Sequence, residues 1–273
     1  MRLSTKLSFR ALLLPVLLVG VVVIAMGAVV LLSASSFART HGESSAAGRI
    51  RLGGGDQFRG GSRLPLPVLR TREDMLTAIC AREPLRSAAE IGVQRAYFAF
   101  ELLTRCPGIT SYLGVDLWAT QASYDDGANV DNSTQSRIYD EARERLKPFS
   151  NRWRLLRQDS VSAAAQVPDG SLDFVYLDAR HDYRSVQDDI IAWAPKVRTG
   201  GVLAGHDYVD ASEIGGSWTQ YNWTQYKDGS ISHPTKAVRS AVSEFADLTG
   251  RQHLVTYGDL WENLPYPSWF MRM

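Results

Sequence analysis

Two short stretches of the sequence combine carboxylates with imidazole groups. The first runs from Asp173 to Tyr183 and holds Asp178 and His181 three residues apart. The second ends in His206-Asp207 after a glycine-rich apolar stretch. An unperturbed imidazole titrates at about pH 6.5 and can accept a proton at neutral pH. Carboxylates bind divalent cations. The two stretches therefore predict a site that transfers protons, with a metal ion or without one.

A third feature is the segment Glu90-Ile-Gly92-Val-Gln94-Arg-Ala96, at a predicted turn from strand to helix. A glycine at such a turn lets the backbone approach a ligand closely. Asp116 ends the next predicted strand, at the spacing expected for an acid that accepts hydrogen bonds from ribose hydroxyls. This glycine and this acid suit NAD as well as S-adenosylmethionine. Together they predict a nucleoside pocket.

Alternating strand-like and helix-like segments must position these residues. Strands are predicted at 87–92, 110–115, 153–157, 172–177 and 201–204, with closing strands at 253–256 and 269–271. Helices are predicted at 73–82, 96–105, 133–147, 183–194 and 235–248. This α/β alternation predicts a mostly parallel seven-stranded sheet with helices on both faces. Ligands bind such sheets beyond the carboxyl ends of the strands, where the polar residues above are predicted to meet.

The stretch from Ser87 to Tyr208 resembles the small class I S-adenosylmethionine-dependent methyltransferases, which include macrolide-sugar and catechol-type O-methyltransferases. Two motifs carry the resemblance: Leu-Asp-Ala-Arg-His-Asp-Tyr at 177–183 and Gly-Gly-Val-Leu-Ala-Gly-His-Asp at 200–207. The 90–96 segment resembles the nucleotide loop of that family, with Gln94 and Ala96 in the places of its second and third glycines. The resemblance implies a Rossmann-like class I methyltransferase sheet and S-adenosylmethionine as the cofactor.

The resemblance also implies roles for individual residues. Asp159 and Ser160 follow the third strand, where the family places an acid near the adenine amine, although Asp159 is equally suited to capping the next helix. The implied cofactor-binding residues are Glu90, Gly92, Gln94, Asp116, Asp159 and Ser160. His181 matches a general base in the sugar-methylating relatives, with Asp178 beside it as the second catalytic residue.

A divalent cation is implied at Asp178, His206 and Asp207. Such an ion would hold a substrate hydroxyl and lower its pKa. Relatives have an oxygen ligand where His206 stands; because Mg prefers oxygen donors, a histidine there weakens the prediction of Mg and admits Mn or another transition metal. Alternatively, the site holds no metal, and His206 is a base or a structural hydrogen-bonding group.

The N-terminus predicts a membrane anchor. Residues 11–32 contain no charge and are long enough for a transmembrane signal-anchor, although a cleaved signal peptide stays an alternative. Arg2, Lys6 and Arg10 put the tail, 1–10, in the cytosol by the positive-inside rule. A flexible stem at 33–69 then leads to a methyltransferase domain at 70–273, in a lumen or outside the cell.

Three other features bound the function. A net charge of +1 argues against a nucleic-acid partner. Cys80 and Cys106 are expected to be buried free thiols, although an oxidising lumen would allow them to pair. The aromatic segment 215–234 either covers the substrate or packs on the domain.

We therefore expect an O-methyltransferase that acts on a small-molecule hydroxylated acceptor such as a sugar or glycan. Two alternatives stay open: an NAD-dependent oxidoreductase on the same fold, and a catalytically silent, membrane-tethered binding module. A homo-oligomer is compatible with each of them.

Overall fold

Strands and helices alternate along the chain; the strands form a single sheet, and the helices cover both of its faces. The computed structural model describes residues 70–82, 84–214, 221–256 and 266–273. The strands are β1 (Ser87–Ile91), β2 (Ser111–Asp116), β3 (Trp153–Arg157), β4 (Leu172–Leu177), β5 (Val197–Gly205), β6 (His253–Val255) and β7 (Trp269–Arg272). The helices are α1 (Arg72–Arg82), α2 (Tyr97–Arg105), α3 (Asn132–Leu146), α4 (Ser160–Ala164), α5 (Tyr183–Trp193) and α6 (Val238–Thr249). Single 3₁₀ turns lie at Lys147–Phe149, Ala194–Lys196 and Ala211–Glu213.

The seven strands lie in the order β3-β2-β1-β4-β5-β7-β6. The first five strands in this order are parallel to one another. Strand β7 runs antiparallel to both β5 and β6. This arrangement confirms the predicted mostly parallel, Rossmann-like sheet. Ile91 pairs with Val115 on one side and with Leu177 on the other, so β1, β2 and β4 end at the same edge. The strand order reverses at β1 and β4, which is where ligands bind in sheets of this kind.

Side-chain alternation along the strands builds a core on each face of the sheet. In β4, Phe174 and Tyr176 pack with the α1–α3 core, whereas Val175 and Leu177 pack with the α4–α6 core. Successive side chains of a strand point to opposite faces, and β4 is buried along its whole length because helices cover both. The central strands are therefore rigidly held on both faces.

Strand β5 begins at Val197, four residues before the predicted start. Its register against β4 shifts after the Leu172–Val197 pair, so the glycine-rich part forms an irregularity within the strand. Gly200 has a φ of +77°, which favours glycine. The predicted strand, 201–204, did not include residues 197–200.

A disulfide joins Cys80, near the end of α1, to Cys106, which caps α2. Their Cα atoms are 5.5 Å apart, within the usual range for a disulfide. The expectation of free thiols is therefore wrong. The two residues are 26 positions apart in sequence, and only the packing of α1 on α2 brings them together.

The predicted tail at 1–10, anchor at 11–32 and stem at 33–69 all lie outside the described residues. Within the described ranges, no helix combines the length and apolarity needed to span a membrane. All of the described residues fall in one compact unit, Arg63–Met273.

Candidate active site

A cavity of about 440 Å³ lies at the carboxyl ends of the parallel strands. This volume is within the range of small-molecule pockets, roughly 300–1,000 Å³. Every residue predicted for the site lines it: Glu90, Gly92, Gln94, Asp116, Asp159, Ser160, Asp178, His181, His206 and Asp207. Residues far apart in sequence thus share one pocket.

The turn after β1 requires glycine at residue 92. Gly92 has a φ of +89°, and a Cβ built on it would lie 1.8 Å from the backbone oxygen of Asp178. The Gly92 amide also donates to the Val115 oxygen at 2.8 Å. The end of β1 is therefore held between β2 and β4 with no room for a side chain.

Gln94 and Ala96 adopt the conformation that glycine favours, although neither is glycine. Their φ angles are 47° and 58°, in the left-handed region. Each such residue costs about 1–2 kcal/mol relative to right-handed backbone. The loop thus keeps the backbone path of a glycine-rich turn at the two positions where the expected glycines are missing.

Asp116 holds this turn in place. Its carboxylate accepts hydrogen bonds from the amides of Val93 (2.9 Å), Gln94 (2.8 Å) and Trp118 (2.9 Å). Burial raises the pKa of Asp116, while these three amides act in the opposite direction. The amide of Leu117 also acts to lower this pKa, so backbone donors surround the carboxylate. The predicted contact with a ribose hydroxyl stays a prediction.

Glu90 lies at the base of the cavity and is 2% exposed. It accepts a hydrogen bond from the Tyr112 hydroxyl at 2.5 Å. Burial raises the pKa of Glu90 well above its ordinary value, and the hydrogen bond from Tyr112 only partly opposes this. Glu90 is therefore a buried polar group beside the Gly92 turn.

Asp159 and Ser160 lie at the start of α4. Asp159 accepts from the Ser162 amide at 3.2 Å, which confirms the capping interpretation. Its other oxygen lies 3.5 Å from the Lys227 ammonium. The Ser160 hydroxyl accepts from the Trp193 indole at 2.9 Å. Both residues also line the cavity.

His181 lies among three carboxylates and a tyrosine. Its Nε2 is 2.9 Å from Asp207 and 3.8 Å from Asp178. Its Nδ1 is 3.0 Å from the Tyr124 hydroxyl and 3.4 Å from Asp126. Burial lowers the pKa of His181, but these four neighbours outweigh it and raise the pKa well above its ordinary value. The surroundings therefore stabilise the imidazolium form.

Donor atoms of Asp178, His181 and Asp207 all lie within 4.8 Å of one another. His206, which was predicted in this set, is not part of it. Its Nδ1 lies 3.2 Å from the other oxygen of Asp207, and its amide still donates to Leu177 of β4. Asp207 has a positive φ of 54° and turns out of the strand path. The backbone geometry thus brings His181, rather than His206, into the group.

Two rim segments, 119–131 and 221–234, complete the cavity, and only weak sequence patterns pointed to them. Trp223 is 2% exposed, its ring centroid lies 4.3 Å from that of His181, and its indole donates to Asp126 at 3.0 Å. Trp223 therefore packs on the domain, beneath the site, as one of the two interpretations of the aromatic segment predicted. Residues 215–220 lie outside the described residues.

Arg180 joins both rim segments to the end of β4, and sequence reasoning missed it. It is 5% exposed and pairs with Asp182 at 3.0 Å. It also donates to the backbone oxygens of Ser123 (3.0 Å) and Gln225 (2.8 Å). The only sequence signals for these contacts were the polar composition of 123–133 and the aromatic residues of 215–234.

The central part of the chain is similar to known proteins. Residues 89–208 match the model of a family described as a methyltransferase domain. An uncharacterized protein of Sinorhizobium fredii, y4gI, is 35% identical over 72 residues, which is 26% of this chain and 8% of that protein. The chain thus covers a small part of this curated relative.

Solved structures give the fold. A Staphylococcus aureus protein assigned as a caffeoyl-CoA O-methyltransferase aligns with a TM-score of 0.50 and 9% identity, over 74% of this chain and 83% of that chain. An O-methyltransferase from Bacillus cereus, in complex with SAH, aligns with a TM-score of 0.47 and 16% identity, over 78% and 84% of the two chains. At 9% identity, the first alignment supports the fold alone.

Proposed function

We propose that the protein is a class I S-adenosylmethionine-dependent methyltransferase that methylates an oxygen atom of a small hydroxylated acceptor such as a sugar or glycan, with residues 89–208, which match a methyltransferase-domain family, as the centre of its catalytic domain. One observation carries this proposal. The Gly92 turn and the cluster of Asp178, His181 and Asp207 line the same cavity. A nucleoside-type pocket is thus adjacent to groups that can hold and deprotonate a hydroxyl. The match to a methyltransferase family also favours this function over an NAD-dependent oxidoreductase.

The cofactor side of the cavity consists of the 90–96 turn, Asp116 and residues 158–160. Gly92 lets the turn pass against the backbone of Asp178, and Asp116 holds the amides of Val93 and Gln94, so that the turn keeps its shape beside the cofactor. S-adenosylmethionine supplies a methyl group on a positively charged sulfur. The main task of the protein is then to hold the acceptor oxygen in line with that methyl group.

The acceptor side consists of Tyr124, Asp126, His181, Asp207 and Trp223, together with Asp178. We assign Asp178 and His181 as catalytic residues that bind the acceptor hydroxyl and take its proton. The carboxylates near Nε2 and Nδ1 stabilise the imidazolium ion, which is the product of that transfer. Because the same carboxylates also favour the imidazolium before the transfer, His181 serves as the base only in the molecules in which it is neutral.

The same cluster fits a divalent cation. His181 Nε2 is buried and forms no well-aligned hydrogen bond with any described residue, and it shares the cluster with two carboxylates. We propose Asp178, His181 and Asp207 as the ligands; a donor set with one nitrogen suits Mn or another transition metal better than Mg. A cation there would polarise the acceptor oxygen. His181 cannot be both ligand and base in one complex, and activity after treatment with a chelator distinguishes the two roles.

We further propose the domain order of tail (1–10), signal-anchor (11–32), stem (33–69) and methyltransferase domain (70–273), with the domain luminal or extracytoplasmic. The Cys80–Cys106 disulfide supports this location, because disulfides persist in oxidising compartments. Labelling of a tag placed after residue 69 in intact and permeabilised membranes tests the orientation.

Calorimetry with S-adenosylmethionine, SAH and NAD tests the cofactor, and transfer of a labelled methyl group to a panel of hydroxylated acceptors tests the reaction. We expect binding of the first two ligands and not of NAD. Asp178→Ala and His181→Ala should each lower kcat by about 10²–10⁴-fold and leave SAH affinity nearly unchanged. His233→Gln, outside the cavity, is the matched control. Full activity in both active-site variants would contradict the proposed roles and favour a silent binding module.

A further inference from the structure

Helix α5 presents two polar side chains to the cavity that no proposed catalytic role uses. Ser185 and Asp189 are one helical turn apart, on the same face of α5. They are 1% and 5% exposed, and both line the cavity, as do Gln158, Asp159 and Ser160. These two residues thus form a polar wall of its cofactor side.

The Ser185 hydroxyl has no hydrogen-bond partner among the described residues, although it is buried. A buried hydroxyl without a partner is unfavourable, so such groups in folded proteins usually meet a ligand or an ordered water. Ser185 faces a cavity of ligand size, and a ligand is therefore the natural partner for its hydroxyl.

Asp189 is a buried acid with a defined surrounding. Its carboxyl interacts with the hydroxyl of Ser160, whose oxygen already accepts from Trp193. Burial raises the pKa of Asp189 to about 7; Ser160 and Lys227 act to lower it, while Asp159 and Asp188 act to raise it. These groups come from α4, from α5 itself and from the 221–234 rim segment. Near neutral pH, Asp189 is therefore protonated in about half of the molecules.

We propose that Ser185 and Asp189 recognise the adenine ring of the cofactor, with the protonated carboxyl of Asp189 donating to a ring nitrogen. The Asp189 oxygen that accepts from Ser160 is then the carbonyl oxygen, and the other oxygen carries the proton. The Ser185 hydroxyl pairs with a second polar atom of the same ring. This inference rests on the proposed function, because it takes the ligand to be S-adenosylmethionine.

The pH dependence has a definite sign. If the protonated carboxyl binds adenine, binding is strongest below pH 7 and weakens as the proton is lost above it. The protonated fraction falls from about nine-tenths at pH 6 to about one-tenth at pH 8 for a group with a pKa of about 7. SAH affinity should therefore fall about tenfold over this interval. Asp189→Asn keeps a donor and a carbonyl in place but does not titrate.

The experiment is calorimetric titration of the full chain with SAH at pH 6 and pH 8, with a thermal unfolding curve for each variant. We expect Asp189→Asn to bind at pH 6 within about threefold of wild type and to lose the fall at pH 8. Ser185→Ala should bind about 3–10-fold more weakly at pH 6, the loss expected for one hydrogen bond. Asp140→Asn removes an exposed carboxylate far from the cavity and should behave as wild type.

Two results would overturn the inference: a fall in affinity with pH that persists in Asp189→Asn, or Ser185→Ala that binds SAH as tightly as wild type. A wild-type protein that binds SAH at neither pH would instead overturn the proposed function. The two failures are therefore distinguishable. Because SAH binding is the readout, the test does not depend on knowing the acceptor.

Discussion

The two sides of the cavity are built in different ways. On the cofactor side, strand register and backbone hydrogen bonds fix the Gly92 turn, and Asp116 contacts amides 22–23 residues away. On the acceptor side, side chains of separate segments meet: Trp223 reaches Asp126 across 97 residues, and Tyr124 reaches His181 across 57. The sheet therefore determines the cofactor side, whereas long-range side-chain contacts determine the acceptor side. Changes in the rim should affect the two sides unequally.

Among the substitutions that test this difference between the two sides of the cavity, Arg180→Ala is expected to have the largest effect. The substitution leaves the fully buried Asp182 without its partner and frees both rim segments from the end of β4. The free energy of unfolding should fall by about 3–5 kcal/mol, as for other broken buried ion pairs, and methyl transfer should be lost. Urea unfolding measures the first effect. Arg143→Ala, on the exposed side of α3, is the control, with an expected loss below about 1 kcal/mol. Equal losses in the two variants would contradict the central role of Arg180.

Removing the disulfide should destabilise the elements behind the cofactor side without altering the site. A double Cys80→Ala/Cys106→Ala variant opens a 26-residue separation, for which chain entropy gives a loss of roughly 3 kcal/mol. Chemical unfolding with and without a reductant measures it. Wild type should lose stability on reduction and the double variant should not. A wild-type protein that is insensitive to reductant would contradict the disulfide.

Asp126→Asn should affect the acceptor side alone. The ionised carboxylate accepts from Trp223 and lies next to His181; burial raises the pKa of Asp126, but the histidine and its donors outweigh this and lower it. Loss of such a supporting group typically costs about 10–100-fold in activity. Steady-state kinetics should show this fall in kcat, while calorimetry shows unchanged SAH affinity. Asp125→Asn changes the exposed neighbouring residue and should leave both kcat and SAH affinity unchanged. An equal fall in kcat in this variant would mean that the loss of negative charge, and not the contacts of Asp126, causes the effect.

The smallest effect is expected at the turn of the cofactor side. Gln94 is exposed and has a φ of 47°, so Gln94→Gly should relieve strain and stabilise the fold by about 1 kcal/mol. Gly170→Ala is the reverse substitution at a φ of +66° with open space around it, and it should destabilise by a similar amount. Thermal unfolding measures both. Shifts of the same sign in the two variants would contradict the strain argument.

The same contrast explains what could be predicted from the sequence. The bounds of β3 and β4 agree with the prediction, because apolar runs between turn residues specify strands directly. Residues that follow strands, such as Gly92 and Asp178, were found because parallel strands end at a common edge. Arg180 and Asp126 were missed, since their contacts depend on how two loops fold over that edge.

The corrections have a similar cause. The Cys80–Cys106 pairing depends on the docking of two helices, which no local pattern reports. His181, rather than His206, lies in the carboxylate cluster, next to a residue with left-handed backbone, Asp207. Composition gives neither geometry, because one depends on the orientation of two helices and the other on the direction in which a side chain points.

The close approach of Gly92 to the backbone of Asp178 has a consequence for engineering. The contact between Gly92 and Asp178 leaves no room for a side chain at residue 92. The distance between these two backbone segments therefore cannot change to fit a larger or smaller ligand. Altered acceptor preference should therefore be sought by randomising the rim segments. In a saturation library at residue 92, almost every folded variant should retain glycine.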